Sequence, residues 1–215
     1  MAERAAGASN PDRGAEASQI GPRLRAQRLR IGISLREVAR RIGVSPSLVS
    51  QIERDMVNPS VATLYALVTE LGLTMSDVFV ERARPRSSNA HPVETAGPVT
   101  TSDSRRAINL AAGVHWERLT ANSDPLVEFL HVIYEAGGES CPEDSLMRHG
   151  GKEYGYVISG RLGVTIGFDE YELGPGASIS FDSSSPHRLR AIGNNPVRAI
   201  WTVVGRQGDP RSTGE

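Results

Sequence analysis

Between residues 20 and 80 apolar positions recur every three or four residues, the spacing of amphipathic helices. Ile20, Leu24 and Ile31 share one face of a first predicted helix, interrupted by Gln27 and ended by Gly32. Ser34 caps a second helix, with Glu37 at the capping-box position and Val38, Ala39 and Ile42 inward. Gly43 makes a turn. Ser45 then caps a third helix with Pro46 at its first position, and Val49 and Ile52 form the buried side. Ser60 opens a fourth, whose inward face is Val61, Leu64, Val68 and Leu71, and a short fifth segment from Met75 to Val80 packs Val78 and Phe79. The block is predicted to be an all-α, five-helix domain.

After residue 106 the period changes. Short apolar runs (LVEFLHVIYEAGG, YGYVISG, LGVTIGF, ASISF, VRAIWTVV) alternate with Gly, Pro, Asn and Asp turns, the texture of an all-β sandwich or barrel. Residues 1–18 and the Pro-rich stretch 81–106 have no periodicity. The expected organisation is a disordered tail (1–18), a helical domain (19–80), a flexible linker (81–106), a β domain (107–206) and a second disordered tail (207–215).

Composition narrows the function classes. The chain has 215 residues and a net charge of −1, but the charge is split. From Ile20 to Arg86 there are 11 Arg against 6 acids, net +5, whereas from Ala107 to Glu215 there are 9 bases against 14 acids, net −5. Two domains with different partners fit this asymmetry, the basic one suited to phosphates. There is no 18-residue apolar run, and the N-terminus lacks the apolar core of a secretory signal, so a soluble cytoplasmic protein is expected. A lone Cys141 excludes an intrachain disulfide framework and a multi-Cys zinc site.

Ser34 to Arg54 has the form of a helix-turn-helix, whose second helix can enter a DNA major groove. With Val49 and Ile52 in the core, Pro46, Ser47, Ser50, Gln51 and Arg54 are left facing out. Gln can bond adenine bidentately, Ser several bases, and Arg phosphate or guanine. The runs IGPRLRAQR, SLREVARRIGVSPSLVSQIERD and NPSVATLYALVTELGLTMSDVF resemble the Xre or lambda-repressor-like DNA-binding domains over residues 20–79. That resemblance implies base reading by Ser47 and Gln51 and backbone contact by Arg54. Asp55 departs from it, standing where the family usually has Gly. Arg23, Arg25, Arg28 and Arg36 are weaker candidates for phosphate contacts.

In the second block, strand alternation puts Met147, His149, Gly151, Glu153, Gly155 and Val157 on one face, and His187 follows a Ser/Pro turn. Two His and one Glu could form a three-ligand site with open positions. HGGKEYGYVISGRLGVTIG, with Gly174-Pro175-Gly176 and Pro186-His187, resembles the small cupin domains, specifically the cupin half of Xre–cupin transcription factors. His149, Glu153 and His187 match three of four family ligand positions. Met147 stands at the fourth, where a thioether is a poor ligand for hard divalent metals. Two readings stay open: a divalent metal, zinc or similar, on His149, Glu153 and His187, or a metal-free pocket in which those three hydrogen-bond each other or a polar ligand; with Met147 they line the expected effector site. Tyr154 and Tyr156 fall on the opposite face, and Trp116 and Trp201 read as core or interface.

The resemblance implies an all-α DNA-binding domain followed by an all-β cupin (double-stranded β-helix) barrel. The expected function is a transcription regulator, not an enzyme, binding a double-stranded DNA operator as a homodimer and sensing a small-molecule effector in the cupin, with no membrane partner. A metal-dependent isomerase or dioxygenase carrying an accessory DNA-binding domain is the alternative. A protein–protein module is a third reading, opposed by the polar face at Ser47 and Gln51.

Overall fold

The computed structural model describes residues 20–79, 97–124 and 126–205. The expected tails, 1–18 and 207–215, and most of the expected linker lie outside these residues. The helical block consists of α1 (Ile20–Arg30), α2 (Leu35–Ile42), α3 (Pro46–Glu53) and α4 (Val61–Glu70). Local chemistry sets their ends. The side chains of Ser34, Ser45 and Ser60 accept the N–H groups of Glu37, Leu48 and Thr63, satisfying donors that have no intrahelical partner. Gly43 closes α2 at φ 72°, a left-handed conformation that costs glycine nothing. Glu37 does not complete the capping box; its carboxylate pairs with Arg40 and Arg41 instead.

Three expectations are corrected in this block. The fifth element, Met75–Val78, is a 3-10 turn, so the described residues hold four α-helices and not five. Thr74 and Asp77 cap each other across the turn, and Phe79 already has extended backbone, leaving one short turn of helix. Ile31 lies beyond the end of α1 and is exposed, while Gln27 is buried and donates from Nε2 to the Leu71 carbonyl at 2.7 Å. Arg28, a candidate phosphate contact, is buried too. Its guanidinium makes a two-bond fork to the Glu53 carboxylate and donates to the Ile33 carbonyl at 3.0 Å, tying α1 to the end of α3. Asp55 takes φ 52°, the left-handed position expected of a Gly, and its Oδ1 accepts the Gly21 N–H at 2.8 Å. Asp is tolerated there because its side chain caps the start of α1.

The second block is built from two antiparallel sheets. A six-stranded sheet has the order β1 (Arg106–Leu110), β2 (Val114–Arg118), β3 (Val127–Tyr134), β9 (Val197–Val204), β4 (Lys152–Ser159), β7 (Ser178–Asp182). A three-stranded sheet has the order β6 (Asp169–Leu173), β5 (Leu162–Ile166), β8 (His187–Ala191). Burial alternates along β4 and β9, with Glu153, Gly155 and Val157 inward beside Val197, Ala199, Trp201 and Val203. Outward positions on β4 include Tyr154 and Tyr156, both about half exposed, as their strand parity requires. Gly155 pairs with Trp201, whose ring covers it; a Cβ there would meet the indole at 2.1 Å. The close approach of the ring is what requires glycine.

The two blocks touch. The Ala111 N–H donates to the Pro59 carbonyl at 2.8 Å, and the Ala62 N–H to the Ser140 carbonyl at 3.2 Å. Tyr65 of α4 donates its hydroxyl to Glu128 of β3 at 2.9 Å. The first turn of α4 thus abuts the mouth of the β block.

Removing one partner of a buried ion pair leaves the other charged and unpaired, which costs on the order of 3–5 kcal/mol. Glu53→Ala should therefore destabilise the helical domain by about 3 kcal/mol, read as a lower midpoint in urea unfolding followed by helical circular dichroism. Arg40→Ala, at an exposed pair, should change it by less than about 1 kcal/mol.

Candidate functional site

Two sites emerge from this framework. The first is the outer face of α3. Val49 and Ile52 are buried as expected, and Pro46, Ser47 and Arg54 are exposed, with Ser50 and Gln51 half-buried beside them. Arg54 donates from Nε to the Ser50 carbonyl at 3.1 Å, which folds its side chain back along the helix. The Arg28–Glu53 fork fixes the angle at which this helix leaves the domain. Arg23, Arg25 and Arg36 are exposed, Arg23 donating from Nη1 to the Asp77 carbonyl at 2.6 Å.

The second site is inside the β block. His149, Glu153 and His187 bring one ligand atom each to within 4.8 Å of one another. Strand β4 carries Glu153 and β8 opens with His187, whereas His149 comes from the segment before β4. Alternation over the whole of 147–157 is not what aligns them: regular strand begins only at Lys152, and Gly151 turns at φ 102°. Met147 reaches the same cavity through an isolated bridge, its backbone exchanging two 2.9 Å hydrogen bonds with His187.

The hydrogen bonds around the three residues define what they present. His149 Nδ1 lies 3.0 Å from the Gly150 carbonyl and His187 Nδ1 lies 2.9 Å from the Ser185 carbonyl. A carbonyl only accepts, so each Nδ1 carries a proton and each ring turns its Nε2 inward, a lone pair wherever the ring is neutral. Those two atoms stand 2.9 and 3.1 Å from Glu153 Oε1. Yet His149 Nε2, His187 Nε2 and Glu153 Oε1 are all buried without a hydrogen-bond partner. With both rings neutral, three lone pairs would face one point and repel, so a positive charge belongs here, either a proton on an imidazole shared with Glu153 or a metal ion among all three. This donor set fits a divalent ion in the two-His, one-carboxylate pattern with open positions. Glu153 would supply the charge and the histidines the imidazole nitrogens that zinc and its neighbours accept.

Trp201 completes the arrangement. Its Nε1–H donates to Glu153 Oε2 at 2.7 Å, fixing the carboxylate so that Oε1 faces the rings. Trp201 and Trp116, read from sequence as core or interface, both line the cavity, together with Tyr134, Val132 and Met147. Tyr65, absent from the expected inward face of α4, lines it too. Its ring stacks on His149 at 4.3 Å and 9°, and meets the edge of Trp116 at 5.9 Å. The sequence signal was there in part: Tyr65 follows Val61 by one helical turn, and both face the cavity.

Charge follows the geometry. Burial alone would push the Glu153 carboxyl up, but the adjacent imidazoles outweigh it and hold the group well below the usual carboxylate range. Burial alone would lower His187; the Glu153 carboxylate outweighs that and raises it above the ordinary histidine value. Cys141 is buried, which pushes its thiol up, and donates to the Ser145 carbonyl at 3.1 Å, a packing role.

Comparison with known proteins agrees with both halves. A helix-turn-helix family model matches residues 24–78, and a cupin domain model matches residues 130–203. The chain thus joins a helix-turn-helix domain to a cupin domain, and it is homologous to HTH-type transcriptional regulators. It is 28% identical to the HTH-type transcriptional regulator PuuR of Escherichia coli (strain K12), over 78% of this chain and 84% of that protein. It is 26% identical to the HTH-type transcriptional regulator SutR of the same organism, over 81% of this chain and 86% of that one. A crystal structure of an HTH_3 family transcriptional regulator from Vibrio cholerae shares its fold, with a TM-score of 0.59 at 23% identity, covering 87% of this chain and 96% of that one. Among the described residues no helix is long and apolar enough to cross a membrane.

The pKa directions carry a sign for stability. A raised His187 stabilises the metal-free protein below the unfolded histidine value, about 6.5, and that contribution is lost as pH rises through the folded value. In chelator, the gap in melting temperature between wild type and His187→Gln should therefore narrow from pH 6 to pH 8. With zinc added the trend should reverse and the gap widen with pH, because the ligating rings must be neutral. Thermal scans at the two pH values read both.

Proposed function

We propose that this chain is a DNA-binding transcription regulator whose cupin domain senses a small-molecule effector at the His149, Glu153 and His187 site. The observation that carries the sensing half is the convergence of His149 Nε2, His187 Nε2 and Glu153 Oε1, buried around one point, in a domain covalently joined to a DNA-binding head. Such a site is under-satisfied alone, and a bound ion, with or without an effector, supplies the missing charge. On this reading a divalent metal, zinc or similar, sits on the three residues, and Met147 lines the effector pocket without ligating.

The DNA half rests on the exposed face of α3. Ser47, Ser50 and Gln51 read base edges, and Pro46 and Arg54 lie against the backbone. A homodimer would set two such helices on half-sites about one helical turn, ~34 Å, apart. The enzyme reading, an isomerase or dioxygenase with an accessory head, has less support, since the homologues matched over most of the chain are regulators. An effector that favours one arrangement of the heads would couple the two domains, and its differential affinity sets the limit of the response.

Purified protein should retard and footprint an inverted repeat in DNA from its own gene's surroundings. Gln51→Ala should cost on the order of 1–3 kcal/mol at that site and relax preference at one base position. Arg54→Ala should weaken all sequences and flatten the salt dependence. Glu153→Ala should leave operator affinity intact in the absence of effector and abolish the response to it. Effector-free binding lost in Glu153→Ala, or no protected repeat with wild type, would contradict the reading.

A further inference from the structure

The cavity beside His149 and Glu153 offers about 20 Å3, room for one ion or one water. No metabolite fits there while Tyr65 holds its place. Yet Tyr65 does not belong to the cupin. It projects from α4 of the DNA-binding domain, lies flat on His149 and turns its edge region toward Trp116. Its hydroxyl reaches across the mouth to the Glu128 carboxylate. The slot it fills therefore has a flat floor, an aromatic wall and an acceptor at the far end.

We propose that Tyr65 is a tethered occupant of the effector site, and that the ligand taking its place is a planar ring bearing a hydroxyl or amino donor. The inference rests on the sensing role proposed for the cupin and names the ligand class and the route of coupling. A ring entering the slot stacks on His149 and donates to Glu128, taking the contacts that Tyr65 makes. To do so it evicts Tyr65. Helix α4 packs on α2, with Leu64, Leu67 and Val68 buried, so α4 moves with the DNA-binding domain. Eviction then breaks the two backbone contacts beside it, Ala62 to Ser140 and Ala111 to Pro59. Ligand binding and docking of the head on the cupin exclude each other, and that exclusion is the differential affinity that a switch requires.

The test uses full-length protein and p-cresol, the tyrosine side chain as a free molecule. The chain has two tryptophans, and both line this cavity, so intrinsic fluorescence excited beyond tyrosine absorption reports the slot alone. Tyr65→Ala should bind p-cresol saturably and at least ten-fold tighter than wild type. Equal affinities, or no saturable binding to a Tyr65→Ala protein with wild-type circular dichroism, would overturn the proposal. If Tyr65→Ala does not fold, Tyr65→Phe carries the same comparison. It keeps the ring but loses the bond to Glu128, and should bind the probe several-fold tighter than wild type; equal binding there refutes tethered occupancy. Hydrogen exchange tests the coupling. At saturating p-cresol the Ala62 and Ala111 amides should exchange faster, while amides of the β5–β8 ladder stay unchanged. Unchanged protection at both would show that occupancy does not release the head. None of these readouts involves DNA, so a failure to find an operator leaves them standing, and their failure leaves operator binding untouched.

Discussion

One buried oxygen organises the β domain. Glu153 Oε1 sits within 2.9 and 3.1 Å of two imidazole nitrogens whose own protons are committed elsewhere. A carboxylate in such a place is costly unless a positive charge accompanies it, whether a proton on an imidazole or a metal ion among all three. Its surroundings are arranged around that demand. Trp201 holds the other oxygen, Gly155 makes room for the Trp201 ring, and the Gly150 and Ser185 carbonyls hold the two His rings in orientation. One side of the site is walled by the other domain, through Val61 and Tyr65.

The helical domain solves a similar problem with a second buried charge. Arg28 and Glu53 are both nearly inaccessible, and the guanidinium satisfies both carboxylate oxygens. Replacing such a pair by apolar residues often costs nothing in stability, so its value lies in geometry. The fork joins α1 to the last turn of α3, the helix that carries Ser47, Ser50 and Gln51. A helix that reads base edges needs that constraint, because a bidentate contact tolerates little misplacement.

Between the domains the contact is small and polar at its rim, with an aromatic centre. Two backbone hydrogen bonds, one hydroxyl–carboxylate bond and one stacked ring join α4 to the cupin. The Arg118 guanidinium over the Phe79 ring, 6.0 Å from its centroid, adds a further point. Interfaces of this kind are strong enough to set an orientation and weak enough to open. The stacked partner of Tyr65 is His149, one of the three residues that could hold an ion, so the contact joins that cluster directly to the other domain.

The sequence by itself determined what depends on neighbours along the chain. Serine caps, the proline at the start of α3 and the glycine ending α2 are local hydrogen-bond and backbone chemistry, and each is where the pattern put it. Strand parity placed Glu153 inward and Tyr154 and Tyr156 outward; it also grouped His149 with Glu153, although the extended run it assumed breaks at Gly151, and family resemblance joined both to His187. What only the tertiary structure decided are polar groups whose burial depends on distant partners. Gln27 is interior because of the Leu71 carbonyl 44 residues away, Arg28 because of Glu53 at 25, and Trp201 takes its role from Glu153 at 48. The same holds for Tyr65, which meets its acceptor 63 residues on, and in reverse for Ile31, apolar but left outside once α1 ended at Arg30. Periodicity measures how a residue suits its own helix or strand, whereas a buried hydrogen bond or a stacked ring is set by what the fold brings opposite it.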